Sequence, residues 1–367
     1  MARVVIVAPE DLPVPAHRGG SVQIYVSGLM RALQNYPNHQ LTLLSPGHRY
    51  RKTFAIVHVN GAKRVYQQSV LRQLQRLSPD VIQVENRPEL IPSIKQSFPS
   101  AKLILNLHSN TFLARRYLSP AQALAALQAA DAVVVNSRYL KSWIIRRFGL
   151  TANSWQPVIV YPGIELSQFL RPHPKTVARP ASAAKPLRVL FVGRVIRQKG
   201  ALVLIDAIQS LVRQHVPVKL TLVGRTPPWE HSYGVEIRRH IKNQPFIHWV
   251  GFVKPQRLPS YYWNSDVFVC PSQWREAFGL VNVEAMAAGL PVIASDLGGI
   301  KEVVDSSSGV LVKNYRDAQA FASVIRQLAE DPARRQSLQA GAERRARHFN
   351  WEVAARQFAK LYDTLHK

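Results

Sequence analysis

Residues 270–295 read CPSQWREAFGLVNVEAMAAGLPVIAS. An apolar run closes at Pro271 and Ser272, a charged turn carries Glu276, and Gly279 precedes a helix-like stretch at 281–288 that contains Glu284. A second apolar run follows at 291–294. Strand, loop, helix and strand in so short a span is the rhythm of a parallel sheet. Residues 191–200, FVGRVIRQKG, repeat its first half: a strand ends at Gly193, Arg194 and Lys199 stand five apart, and a helix opens near Gly200. Where a strand's carboxyl end feeds a helix, backbone N–H groups and the helix dipole favour an anion.

A bidentate Arg and a mobile Lys at that point suit a diphosphate, above all one that departs with developing charge. A solvated basic turn is the bland alternative. Glu284 is flanked by Val281, Val283, Ala285, Met286 and Ala287, which fits a solvated helix face poorly. With about six helical steps between them, the carboxylates of Glu276 and Glu284 straddle about 9 Å. That span suits hydroxyls at opposite ends of a nucleotide sugar, while a structural carboxylate bonded to local backbone stays open for Glu284.

The same rhythm extends in both directions. Strands are expected at 189–192, 219–223, 247–250, 266–270 and 291–294, with helices at 200–214 and 281–288. The N-terminal half offers strands at 3–8, 40–44, 81–84, 102–107 and 132–135, alternating with helices at 65–77, 121–129 and 139–148. From Ser21, the expected helix cap, Val22, Val26, Leu29, Met30 and Leu33 fall at helical spacing. Gly19 and Gly20 before it permit close backbone approach. Between the halves, residues 166–187 are rich in Pro, Ala and basic residues without periodicity, and 171–187 read as a linker. The expected organisation is a first domain over 1–170, a second over 188–349, and an amphipathic helix in 350–367 that returns to the first. The fold class is α/β, two Rossmann-like domains facing each other across a deep cleft at the carboxyl ends of their strands.

The chain has 367 residues, 47% hydrophobic, with a single cysteine. Disorder, a disulfide framework and a CxxC metal or redox site are excluded. The opening MARVVIVAPEDLP lacks the long apolar region of a signal peptide, and no run approaches a membrane span, so a cytoplasmic location is expected. Neither GxGxxG nor GxxxxGK[ST] occurs, which argues against a nicotinamide dehydrogenase and a P-loop NTPase. Net charge is +26, shared between the halves: residues 1–175 carry 21 basic and 7 acidic side chains, residues 176–367 carry 27 and 15. Such a field attracts phosphorylated substrates, anionic lipid or polyanions. Nucleic acid is disfavoured as a partner, because no zinc-finger spacing, RNP-like strand or Arg-Gly tract is present.

Gly193, Arg194, Lys199 and Gly200, then Glu276 and Glu284 with seven residues between, AGLPVIA at 288–294, and Gly298, Gly299 and Glu302 together resemble the retaining glycosyltransferase family 4, of GT-B fold. Gly19 and Gly20, His108 after LILNL, Asn136 and Ser137 after AVVV, and YPGI at 161–164 extend the resemblance over nearly the whole chain. The opening LPVPAHRGGSVQIYVSGL is most similar to bacterial glycosyltransferases associated with the spore coat.

The resemblance implies a hexosyltransferase that moves a sugar from a UDP-, GDP- or ADP-linked donor to an acceptor hydroxyl with retained anomeric configuration, in cell-surface or spore-coat glycan synthesis. Arg194 and Lys199 would clamp the diphosphate, Glu276 hold sugar hydroxyls and Glu284 the ribose. The backbone of residues 277–281 (Ala277, Phe278, Gly279, Leu280 and Val281) would face donor sugar and phosphates, Phe252 and Val253 the base, and Gly19 and Gly20 phosphate and acceptor. His108 would contact the donor sugar near the reaction centre. Asn86, Glu89, Arg115 and Arg116 have positional support only, as acceptor-side residues. No cofactor and no metal are implied, with Arg194, Lys199 and the helix dipole in a cation's place. The acceptor is expected to be anionic, a glycan or lipid-linked, with peripheral contact to an anionic membrane through the basic-apolar helices at 64–77 and 138–148, whose apolar residues alternatively face the core. A non-catalytic coat or assembly protein and a nucleotide-sugar 2-epimerase are the alternatives.

Overall fold

The computed structural model describes residues 1–15, 20–46, 54–151, 155–172 and 180–367, with Lys63 and Arg64 as backbone only. The chain folds into two compact units, one of Met1–Ile164 with Asn350–Lys367, the other of Glu165–Phe349. Among the described residues the first holds seven parallel strands: β1 (Ala2–Val7), β2 (His39–Ser45), β3 (Ala55–His58), β4 (Val81–Glu85), β5 (Lys102–Leu107), β6 (Ala132–Val135) and β7 (Val158–Ile159), in the order β3-β2-β1-β4-β5-β6-β7. The second holds six: β8 (Leu187–Val192), β9 (Val218–Val223), β10 (Ile247–Gly251), β11 (Val267–Cys270), β12 (Val292–Ser295) and β13 (Gly309–Val312), in the order β10-β9-β8-β11-β12-β13. Parallel neighbours need a crossover, and helices in those crossovers bury strands on both faces, which is why the strands read as unbroken apolar runs.

Each sheet reverses its direction of growth beside its first strand, between β1 and β4 and between β8 and β11. Loops leaving the carboxyl ends of such a pair turn to opposite faces and open a crevice there. The loops that carry Gly20, Asn86, Arg194, Lys199 and Glu276 start at these points, whereas His108 follows β5 and Phe252 follows β10.

In the first unit Val4 and Ile6 of β1 face the helices Ser21–Leu33 and Trp351–His366, while Val5 and Val7 face the opposite core layer. The C-terminal helix closes this unit. Trp351 lies on Gly28, where a Cβ would stand 2.2 Å from its ring, so the helix needs a glycine there despite its cost. In the helix Arg138–Phe148, Leu140 and Ile144 are buried and Trp143 packs against the same core; in Lys63–Leu77, Tyr66, Val70 and Leu74 are buried. The apolar stripes of both basic helices therefore face the sheet. Among the described residues no helix is long and apolar enough to cross a membrane.

The first unit ends at Ile164 rather than at 170. Phe169 is buried edge-on to Tyr262 at 5.8 Å, and its carbonyl accepts from the Trp263 indole at 2.7 Å. The Arg171 guanidinium donates to the carbonyls of Trp263 and Ala288. Residues 173–179 of the expected linker lie outside the described residues. Beyond them Ala181 N–H donates to Ala329 O at 3.0 Å, and β8 opens at Leu187. A segment that reads as a tether is thus tied to the second unit at both described ends. Other departures are short or late: β3 and β7 are edge strands of 4 and 2 residues, too brief to stand out as apolar runs. The first helix is capped by Gly20 without a side-chain bond, not by Ser21.

Candidate active site

In the second unit the turn after β8 lies on the turn after β11. Gly200 makes this contact feasible, with φ +71° and a missing Cβ that would stand 1.9 Å from Pro271 O. Gln273 N–H donates to Gln198 O at 2.7 Å, and Ser272 Oγ donates to the same carbonyl at 3.3 Å. Lys199 Nζ is thereby brought 2.5 Å from Glu276 Oε1, which also accepts from Ser272 Oγ at 2.6 Å. Glu276 is buried. Burial lifts its carboxyl, but Lys199, Ser272 and the Trp274 indole more than offset this and hold it below the usual carboxylate range. Gly299 N–H fixes the Glu276 carbonyl at 2.8 Å.

The neighbouring guanidiniums divide. Arg197 is paired with Glu236 at 2.8 Å and lies over the Tyr233 ring at 5.0 Å. Arg194 is exposed, and among the described residues it makes no ion pair. The turn therefore carries a second cation besides Lys199, at the carboxyl edge where β8 and β11 part.

The helix Leu280–Ala287 follows Gly279 directly, so Glu276 stands in the loop ahead of its N-terminus. Four steps from Leu280 to Glu284 are helical, fewer than the six expected from spacing. Glu284 Oε2 accepts from the buried Tyr262 hydroxyl at 2.8 Å. Burial pushes its carboxyl up to about 7 against that hydrogen bond. Ala277, Leu280 and Val281 are half-buried, while the Phe278 side chain turns inward, edge-on to Phe349 at 5.5 Å, leaving only its backbone for a ligand. Phe252 is exposed with the Arg225 guanidinium 5.5 Å from its ring centre, and Val253 is half-buried. A cavity of about 790 Å³, lined by Arg225, His231, Arg238, His248 and Trp249 among others, adjoins Gly251 just before them.

The first unit gathers a second set at its own carboxyl edge. Gly19 lies outside the described residues, and Gly20 has φ +111°. His108 Nε2 is 2.6 Å from Glu85 Oε2, its backbone N–H donates to Asn86 Oδ1 at 3.2 Å, and its carbonyl accepts from Asn136 Nδ2 at 2.9 Å. Asn86 is buried, and its side chain orders the His108 turn. Ser137 caps the helix Arg138–Phe148 by accepting from Leu140 N–H at 3.0 Å. Glu89 Oε1 stands 3.7 Å from Arg87 Nε, and Arg115 and Arg116 are exposed on the loop beyond β5.

Several residues here escape a reading by motif. Arg87 is buried, donates through Nε to Glu10 at 2.5 Å and pairs with Asp11, and lies 4.1 Å from the Phe112 ring centre. Glu85, Ser272 and Tyr262 are hydrogen-bonded to residues the motifs name, His108, Glu276 and Glu284. A polar pair inside an apolar strand, as in VIQVE, is the signal that points to Glu85.

Two family profiles divide the chain: Glycosyltransferase Family 4 matches residues 3–168, and Glycosyl transferases group 1 matches residues 174–345. Spore coat protein SA of Bacillus subtilis (strain 168) is 29% identical over 385 aligned positions, covering 98% of this chain and 99% of that protein. Among solved structures, sucrose-phosphate synthase from Thermosynechococcus elongatus superposes with a TM-score of 0.81 at 22% identity, covering 100% of this chain and 99% of the other. Anabaena HepE in complex with UDP-glucose superposes with a TM-score of 0.76 at 18% identity, covering 99% and 100%. Two Rossmann-like parallel sheets with loop sites at their reversal points, two adjoining glycosyltransferase profiles and these neighbours agree: the chain belongs to the family 4 glycosyltransferases of GT-B fold.

Proposed function

We propose that the protein transfers a hexosyl group from a nucleotide-diphosphate sugar to an acceptor hydroxyl, with retained configuration and without a metal ion. The observation that carries this is the ion pair of Lys199 with Glu276 at the edge where β8 and β11 part, on a turn that also carries the exposed Arg194, without an ion pair among the described residues. Charge develops on the diphosphate as the glycosidic bond breaks. Fixed cations and helix N–H groups aimed at that point stabilise it without reorganisation. Arg194 and Lys199 take the diphosphate, Glu276 the hydroxyls of the transferred sugar, Glu284 the ribose, and Phe252 with Val253 the base. UDP, GDP and ADP are all candidate carriers, and the UDP-glucose complex of HepE, a protein of the same fold, supports the first. Attack comes from the face the diphosphate leaves, and the leaving phosphate helps to take the acceptor's proton.

On the first unit, Glu89, Arg115 and Arg116 are the acceptor-side residues, and His108 meets a hydroxyl of the substrate sugar. The acceptor is an anionic glycan or a lipid-linked saccharide rather than nucleic acid. The work is done in the cytoplasm with peripheral contact to an anionic surface, in cell-surface or spore-coat glycan synthesis. The likeness to spore coat protein SA over nearly the whole chain favours the coat as the destination.

Calorimetry of UDP, GDP and ADP in EDTA tests the clamp: one of them binds without metal, whereas binding that appears only with Mg²⁺ or Mn²⁺ refutes it. Proton NMR of the product's anomeric centre then reads retention or inversion. Absence of turnover with every nucleotide sugar, despite tight nucleotide binding, returns the non-catalytic coat reading.

A further inference from the structure

A buried polar network runs across the first unit from its C-terminal helix to His108. Side chains alternate along a strand, and Glu85 of β4 stands opposite Asn106 of β5, so Gln83, Glu85, Asn106 and His108 share one face. Glu85 is fully buried. Its Oε1 accepts from Gln83 Nε2 at 2.5 Å and Asn106 Nδ2 at 3.2 Å; its Oε2 accepts from Asn106 Nδ2 at 3.1 Å and meets His108 Nε2 at 2.6 Å. No Lys or Arg pairs with it among the described residues. With amide N–H groups donating to both oxygens, the carboxylate turns lone pairs toward the His108 ring. Gln83 is itself oriented, because its Oε1 accepts from the Tyr362 hydroxyl of the helix Trp351–His366 at 2.7 Å, which turns its NH₂ toward Glu85.

An ionised carboxylate only accepts, so the ring nitrogen that meets it must carry the proton. The hydrogen bond at one imidazole nitrogen decides the state of the other. We propose that Glu85 is a positioning residue that fixes His108 as the Nε2–H tautomer, leaving Nδ1, which has no hydrogen-bond partner among the described residues, as a bare acceptor for a sugar hydroxyl. This rests on the reading that His108 meets the substrate sugar, and deepens it. The Tyr25 ring, edge-on at 4.3 Å, holds the imidazole plane. A bare Nδ1 selects a neutral hydroxyl at that position and rejects a carboxylate, whose lone pairs would oppose its own.

Nitrogen-15 NMR on the histidine-labelled 367-residue chain reads the tautomer directly. A protonated Nε2 and bare Nδ1 at His108 are expected, and the opposite tautomer overturns the proposal with no variant needed. In Glu85→Gln the new NH₂ cannot face the two amide donors at the Oε1 position, so it turns to His108 Nε2 and drives the proton to Nδ1. That variant should show the inverted tautomer, with kcat reduced roughly tenfold to a hundredfold and nucleotide affinity unchanged. In a His108→Ala background the same exchange should change kcat less than about twofold, since Glu85 acts through the ring. Equal losses in both backgrounds overturn the proposal. If His108→Ala alone leaves turnover untouched, the sugar-contact reading of His108 fails, while the tautomer still reports on Glu85.

Discussion

The two units put ionisable side chains at the same architectural point and balance them in opposite ways. Where β8 and β11 part, a buried carboxylate, Glu276, is matched by Lys199, and Arg194 on the same turn as Lys199 is exposed and makes no ion pair among the described residues. Where β1 and β4 part, a buried cation, Arg87, is wrapped by Glu10 and Asp11, with Glu89 at 3.7 Å, and carboxylates are in excess. The second edge presents positive charge; the first presents carboxylates. A net charge of +26 spread over both halves hides this, because diffuse surface charge sets attraction and placement at the crevice sets chemistry.

The strongest way to break the comparison is Lys199→Met. Glu276 is left buried without its cation, and the leaving diphosphate loses a fixed charge. Turnover should fall about a hundredfold to a thousandfold, and denaturant unfolding should register a loss of about 3 kcal/mol. Turnover within tenfold of the parent would place the clamp elsewhere.

The next test sets one arginine against the other. Arg87→Met strands Glu10 and should cost about 3–5 kcal/mol, lowering the melting temperature by on the order of 10 °C, with nucleotide affinity unchanged. Arg194→Gln should do the reverse: an unchanged melting curve and nucleotide affinity weakened about tenfold to a hundredfold. If Arg194→Gln destabilises while Arg87→Met spares the fold, the assignment of exposed and structural cations is inverted.

What was legible follows from what was local. The parallel rhythm could be read because strands buried on both faces are apolar throughout, and the second unit's site because Gly193, Lys199, Glu276 and Glu284 sit within two short loops and one helix. Arg87 could not be read: it is one of 48 basic residues, and its burial depends on Glu10 and Asp11, 77 and 76 positions away. Glu85 was half-legible. Reading β4 as 81–84 drops Glu85 into a loop, whereas Gln83 and Asn106, polar in strands covered on both sides, already mark a face on which something must be hydrogen-bonded. The first unit's end at Ile164 is hidden for a related reason: residues 165–171 lack periodicity, and their partners Tyr262 and Trp263 lie far along the chain.

Within the second edge, the two glutamates sharpen the division of labour at about the tenfold level. Glu284→Gln should weaken binding of the free nucleotide roughly tenfold through the ribose. Glu276→Gln should leave it within about threefold and lower sugar transfer instead. Calorimetry with the nucleoside diphosphate decides, and equal losses in both variants would contradict the separate roles.

The smallest expected effect is a pH dependence whose two halves have opposite signs. Burial raises the Glu284 carboxyl from an ordinary 4.5 to about 7, against the Tyr262 hydroxyl, so the fold prefers this group protonated. A raised carboxyl contributes stability that is complete below the unfolded value and is lost as pH rises through 7, at most about 3 kcal/mol by slightly alkaline pH. Glu276, held below the usual range, has the opposite sign: its contribution is complete above the unfolded value and is lost as pH falls through its lowered one. Nucleotide binding runs against the Glu284 stability trend, because an ionised carboxylate accepts more strongly from ribose hydroxyls than a neutral one. Between about pH 6 and 8, affinity should therefore rise several-fold while the second unit's unfolding free energy declines. Glu284→Gln should flatten both changes, leaving only the titration of the phosphates themselves. Stability and affinity that rise together over that range, or a profile the variant leaves unaltered, would show that Glu284 is already ionised in the fold and that another group governs the ribose subsite.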